Sequence, residues 1–192
     1  MDRFAERYRV NSVRKIGWDY SNPGYYFVTI CTVNHYCCLG KIDNDKMVLS
    51  TRGIVVIEEL HKTFEIRKNL KLEAWVVMPN HVHMLFGVGD HLVETRCNAS
   101  LQGDSKQSTV ISNYRNHPGF FDKINIKSNS EVAKTIRSFK GAVKRRLKHQ
   151  NIFFGWQERY YDEIVTDDKR LKIIKYYINN NPKNWKQDKL CK

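Results

Sequence analysis

The chain has 192 residues, 41% of them hydrophobic, and sets 33 Lys and Arg against 20 Asp and Glu, a formal net charge of +13 at pH 7. That hydrophobic share excludes whole-chain disorder, and the length is enough for one domain, with or without an insertion, to bury a core without disulfides. The charge points to a polyanionic partner, with mere solubility as the competing explanation. No apolar run is long enough to cross a bilayer, and the first twenty residues lack the apolar stretch of a signal peptide, so nucleic acid in the cytoplasm (a nucleoid-associated location) is expected, with no membrane partner.

In chain order, residues 1–20 are basic and partly aromatic and read as an N-terminal arm. Tyr25 to Val33 (YYFVTICTV), rich in aromatic and β-branched residues, predicts a buried strand. Asn44 and Asp45 predict a turn before a short strand, Lys46 to Leu49. Ser50 or Thr51 then caps a helix running to about Lys68, with Ile54, Ile57, Leu60 and Phe64 at helical spacing. Leu72 to Met78 is a strand that Pro79 and Asn80 interrupt, and His81 to Val88 is the next. Residues 89–130 are polar and aperiodic, and read as a long loop or insertion. From Ser130 to about Gln150 a helix carries the stripe Val132, Ile136, Phe139, Val143 and Leu147. Tyr160 to Val165 is a strand, Asp167 or Asp168 begins a last helix that ends at Pro182, and residues 183–192 form a basic tail. This order predicts one α+β domain over residues 1–192: a ferredoxin-like (RRM-like) βαββαβ antiparallel sheet with helices on one face. The cysteines at 31, 37, 38, 97 and 191 are odd in number and lack a C-x-x-C, so they are read as reduced thiols, not a disulfide framework or a zinc ribbon.

His81 and His83 flank Val82 in a strand, so both imidazoles point to one face while Val82 points to the other. That spacing suits two ligands of one metal ion. H-x-H is common by chance, but Pro79 and Asn80 break the ladder just before it, and strand irregularities re-aim side chains at functional sites. The frame AWVVMPNHVHMLF resembles the His-hydrophobe-His ("HUH") segment of single-tyrosine transposases, in particular the branch associated with repetitive extragenic palindromes, the REP-associated tyrosine transposases. YYFVTICTV is similar to that family's first strand, SFKGAVKRR at Ser138–Arg146 to its basic helix, GWQERYYDEIV at Gly155–Val165 to its strand before the final helix, and YINNNP at Tyr177–Pro182 to its tyrosine motif. The five segments occur in family order from about Tyr25 to Pro182.

On the last helix, Ile173, Ile174 and Ile178 mark the side that packs on the sheet. Tyr177 falls at its edge, and Tyr176 aligns with Lys169, Lys172 and Asn179 on the solvated side. Tyr177 is therefore expected to face the histidines, and the resemblance also selects it as the catalytic nucleophile. The resemblance further implies that a side-chain amide one turn later, here Asn181, joins His81 and His83 as a ligand of a divalent metal, Mg²⁺ or Mn²⁺. Asn181 also precedes Pro182, a common helix terminator. The helix over 131–149 holds seven basic residues and only Glu131 as an acid, which suits a phosphate-tracking surface. Arg137, Lys140, Lys144, Arg145 and Lys148, with Lys183 nearer the tyrosine, are the candidate DNA-binding residues. The resemblance implies single-stranded DNA with a foldable hairpin as substrate, a 5′-phosphotyrosine intermediate, and either a monomer or a homodimer. Three other readings compete: a relaxase or rolling-circle replication initiator sharing the two-histidine chemistry, a non-catalytic nucleic-acid-binding module, and a zinc hydrolase, against which stands the absence of a carboxylate close by in sequence.

Overall fold

A computed structural model describes residues 20, 22–89, 130–188, 190 and 191. The expected N-terminal arm, except for Tyr20, and the expected loop at 89–130, except for its two end residues, lie outside the described residues.

Strand β1 (Gly24–Cys31) opens the fold, followed by a 3₁₀ turn (Val33–His35) and a hairpin of β2 (Gly40–Asp43) and β3 (Lys46–Leu49). Asn44 and Asp45, both with positive φ (48° and 60°), make the two-residue turn. The turn is where the sequence put it, but β2 was not foreseen. Helix α1 (Thr51–Ile66) starts at Ser50, whose hydroxyl accepts from Gly53 N. Strands β4 (Leu70–Val77) and β5 (His81–Val88) come next, then helix α2 (Glu131–His149), strand β6 (Tyr161–Val165), helix α3 (Asp168–Asn180) and a 3₁₀ turn (Pro182–Gln187).

The main sheet has the order β4-β5-β1-β6, antiparallel throughout. With the β2–β3 hairpin set aside, this is the βαββαβ arrangement expected. Strand alternation then divides the residues. Tyr26, Val28 and Ile30 of β1 and Val82, Met84 and Phe86 of β5 face the main core, which α1 and α2 cover. The α2 stripe Val132, Ile136, Phe139, Val143 and Leu147 is buried there in full. In α1 the buried large apolar residues are Val55, Val56, Leu60 and Phe64, whereas Ile54 is 47% exposed.

Helix α3 lies on the other face of the sheet. Its Ile174 and Ile178 pack on Leu85, with Phe27, Ala74 and Val76 around them. A bulge between Leu72 and Ala74 interrupts β4, and Glu73, the residue between them, bonds Lys175 of α3 (2.5 Å) and Lys71 (3.1 Å). Among the described residues no helix is long and apolar enough to cross a membrane.

Phe139 is 1% exposed and its ring lies 5.9 Å from that of Trp156, whereas Phe153 is 88% exposed. Phe139→Ala is expected to destabilise the fold by about 3–5 kcal/mol, and Phe153→Ala by less than about 0.5 kcal/mol, in urea unfolding. Similar destabilisation by both would contradict the placement of the core.

Candidate metal and tyrosine site

The face of the sheet that α3 crosses carries the histidines. Antiparallel pairing sets Val76, His83, Thr29 and Tyr161 in one row across the four strands. His81 lies two residues before His83 on the same face and is fully buried.

The hydrogen bonds fix how the imidazoles point. Asn80 is fully buried, and its Nδ2 donates to the carbonyls of His35 (3.2 Å) and Leu190 (2.7 Å). Its Oδ1 therefore faces Nδ1 of His81 at 2.8 Å, so that nitrogen carries the proton and Nε2 of His81 is a bare acceptor. Nδ1 of His83 meets the Thr29 hydroxyl at 2.8 Å, and a hydroxyl can either donate or accept. The two Nε2 atoms lie 3.0 Å apart. With Thr29 donating, His83 donates across this gap to His81; with Thr29 accepting, both Nε2 lone pairs are free for a cation. Two nitrogens each about 2.1 Å from a common ion lie at such a separation when they subtend roughly a right angle. Burial holds the His81 imidazole down to about 4, against which the Asp188 charge acts, and burial with the neighbouring His81 holds His83 well below its usual range. Both rings are thus neutral at pH 7, the form that binds metal.

His81, His83 and Asp188 form a cluster whose ligand atoms all lie within 4.8 Å of one another, an arrangement capable of coordinating a metal ion. Asp188 was not found in the sequence. It lies in the stretch read as a basic tail, which folds back: the 3₁₀ turn after Pro182 carries Trp185 to 6.0 Å from the His81 ring, and the Leu190 carbonyl accepts from Asn80. The long separation from the histidines hid this carboxylate. Cys31 pairs with His81 in the sheet, but burial pushes its thiol up to about 11 and keeps it protonated.

Tyr177 is 40% exposed, and its hydroxyl lies 3.2 Å from His83 Nε2 and 3.4 Å from Asp188 Oδ2. Burial raises its pKa and the Asp188 charge adds to this, so the free phenol is protonated at pH 7. Tyr176 is 72% exposed on the solvated side. Of the expected packing residues of α3, Ile174 and Ile178 are buried, but Ile173 is 47% exposed.

Asn181 is 1% exposed. Its Nδ2 donates to Asp188 Oδ2 at 3.2 Å, which turns Oδ1 the other way, and that oxygen is buried with no hydrogen-bond partner. A buried acceptor left unsatisfied is costly. A hard cation beside two imidazole nitrogens would satisfy it, so the donor set fits a divalent metal.

The candidate DNA-binding residues of α2 are placed apart from this site. The apolar stripe of α2 is in the main core, so Arg137, Lys140, Lys144, Arg145 and Lys148 belong to the opposite side of the sheet from the histidines. Arg137, Lys144, Arg145 and Lys148 are exposed, as is Lys183. Lys140 is occupied locally: it is half-buried, and its Nζ donates to the carbonyls of Gln157 (2.6 Å) and Glu158 (3.0 Å).

No protein-family profile matches the chain. In fold it is similar to the solved structure of a REP-associated tyrosine transposase bound to a REP hairpin, with a TM-score of 0.52 and 17% identity over 93% of this chain and 76% of that one. An uncharacterised protein of Haemophilus influenzae (strain Rd) is 31% identical over 180 residues, which span 93% of this chain and 91% of the relative. At that identity over nearly the full length of both, the chain belongs to the same family as the Haemophilus influenzae protein.

Proposed function

We propose that the protein is a divalent-metal-dependent endonuclease and strand transferase of single-stranded DNA, a transposase of the REP-associated type with Tyr177 as its nucleophile. The observation that carries this reading is the placing of the Tyr177 hydroxyl 3.2 Å from His83 Nε2, at the edge of a buried cluster capable of holding a metal. The fold, shared with a transposase that binds a REP hairpin, supports it.

In this reading Tyr177 Oη attacks the phosphorus, the bond from phosphorus to O3′ breaks, and the 3′ oxygen leaves. The resulting 5′-phosphotyrosine is still a phosphodiester, so a 3′-hydroxyl from another strand end can attack it and rejoin the DNA. The phenol is a weak nucleophile while protonated, and Asp188 Oδ2, 3.4 Å away, accepts its proton. His81 Nε2, His83 Nε2 and Asn181 Oδ1 would hold the ion, Mg²⁺ or Mn²⁺. When bound, such an ion draws negative charge off the phosphate and orients it. Asn80 and Thr29 orient the imidazoles, and Asp188 holds the Asn181 amide nitrogen, leaving its buried carbonyl oxygen free to take a ligand. The exposed Arg137, Lys144, Arg145 and Lys148 of α2, with Lys183, hold DNA phosphates.

The direct test uses hairpin-bearing single-stranded DNA, labelled at its 3′ end, with Mn²⁺ or Mg²⁺ and a denaturing protein gel. A labelled protein band is expected, abolished by chelator, Tyr177→Phe or His81→Ala and kept in Tyr176→Phe. Loss only in Tyr176→Phe would move the nucleophile. No band on DNA that the protein binds would leave a non-catalytic binding module.

Thr29→Val removes the group that orients His83 and is expected to weaken Mn²⁺ binding about 10–100-fold in calorimetry. Unchanged affinity would show that Thr29 does not support a ligand.

Gln substitution of Arg137, Lys144, Arg145 or Lys148 is expected to make the slope of log Kobs against log salt shallower, by about 0.7 for each single-strand phosphate that the side chain neutralises. A slope unaltered in all four variants would make that helix face merely solvated.

A further inference from the structure

A recess of about 700 Å³ opens beside the Tyr177 hydroxyl, between α3 and the β1–β6 side of the sheet. This volume lies within the range of about 300–1,000 Å³ typical of small-molecule sites. Its apolar walls come from Phe27, Tyr161, Ile173 and Ile174, and Asn184 and Gln187 are also among the residues that line it. Tyr161 and Ile173 are 49% and 47% exposed, an unusual outlay of large apolar side chains around one opening. The metal-capable cluster does not account for them.

The chemistry of the walls restricts the occupant. Arg170 also lines the recess, but its guanidinium is matched by a fork to Glu163 (2.5 and 2.8 Å), so it brings no net charge to attract a phosphate. The His83 imidazole and the Asp188 carboxylate line the recess beside the Tyr177 hydroxyl, and the apolar and aromatic walls, with amides among the lining, suit a flat, uncharged ring that has hydrogen-bonding edges. Each amide presents both donors and an acceptor, the pattern needed to read a base edge. The chain as a whole, at +13, attracts a polyanion that carries such rings. Tyr161 lies opposite Thr29, which lies opposite His83, so its ring belongs to the same sheet face and row as the site.

We propose that this recess binds an unpaired nucleobase of single-stranded DNA, stacked on the Tyr161 ring, next to the phosphate presented to Tyr177. The placing of that phosphate rests on the nuclease reading; the base binding itself needs neither metal nor cleavage. Tyr161 acts here as a specificity and positioning residue, because a base seated in the recess fixes which phosphodiester of the strand meets the phenol.

The test measures fluorescence anisotropy of the full chain with a labelled oligothymidylate, and with an abasic tetrahydrofuran polymer of equal length and charge, in chelator. Tyr161→Ala is expected to weaken the oligothymidylate about 5- to 100-fold, leaving the abasic polymer unchanged, and Tyr161→Phe to restore binding. In the wild type, an oligonucleotide carrying 5-iododeoxyuridine is expected to photo-crosslink to Tyr161 or Phe27, which covers the case of an alanine variant that does not fold. Equal weakening on both polymers, no weakening at all, or crosslinks only outside the recess would each overturn the proposal. The covalent-band assay reports separately. Base-dependent crosslinking without a band would sink the nuclease and leave the pocket, and a band without base dependence at Tyr161 would do the reverse.

Discussion

The side-chain amide of Asn80 ties three distant parts of the chain together at a fully buried point. Its nitrogen donates to the carbonyl of His35, in the turn after β1, and to that of Leu190, near the C-terminus, while its oxygen meets His81 Nδ1. Left-handed backbone at Asn34 and His35 (φ 52° and 55°) reverses the chain after β1 and brings the first carbonyl to it. No other uncharged side chain offers two donors and one acceptor in so short a reach. An aspartate in its place would take the donor from two part-buried carbonyls, each at the cost of a broken hydrogen bond. The same amide settles the His81 tautomer, so the bare Nε2 of the site is a consequence of how the chain's end is fastened.

The sheet makes this possible by separating stability from chemistry. The period of two along β1 and β5 sends Tyr26, Val28, Ile30, Val82, Met84 and Phe86 to the large core, and Phe27, Thr29, His81, His83 and Leu85 to the opposite face. The second face buries only a small apolar cluster around Leu85, Ile174 and Ile178, enough to seat α3. Among the described residues, the buried polar atoms without a hydrogen-bond partner include the Asn181 carbonyl oxygen, one residue past the end of the helix that carries Tyr177. An unsatisfied buried acceptor is a cost that a well-packed core elsewhere can carry.

Much of the fold was legible because two local periods are strong. The two histidines of H-V-H on one face and the five-residue stripe of α2 both follow from alternation or helical spacing alone, and the structure has both. Phase failed where apolar residues run together. In α1 the run Ile54-Val55-Val56-Ile57 offers every phase, and the buried choice is Val55 and Val56; in α3, Ile173 and Ile174 are adjacent and only the second is buried. Groups whose role depends on long-range contact were not legible. Asp188 looked like part of a basic tail, and Lys140 like one more cation on a charged helix, until a folded-back turn and the carbonyls at Gln157 and Glu158 gave them partners. Asn80 was visible as a break in the strand, but its second carbonyl lies 110 residues away.

Helix α3 couples the two features on which the proposed chemistry depends. Residues four apart share a helix face, so the register that buries Ile174 and Ile178 also sets Tyr177 at the cluster's edge and Asn181 within reach of Asp188. Each residue turns the face by about 100°, so a slip of one would offer Tyr176 and Asn180 in their stead and put Ile173 and Tyr177 where the anchors belong. A tyrosine is too bulky and polar to replace Ile178 against Leu85 without a partner for its hydroxyl. The anchors therefore exclude the alternative register, and phenol and amide are placed by one packing decision. A half-exposed phenol is what this decision yields: near enough to the imidazoles to be governed by them, and open enough for a strand of DNA to reach it.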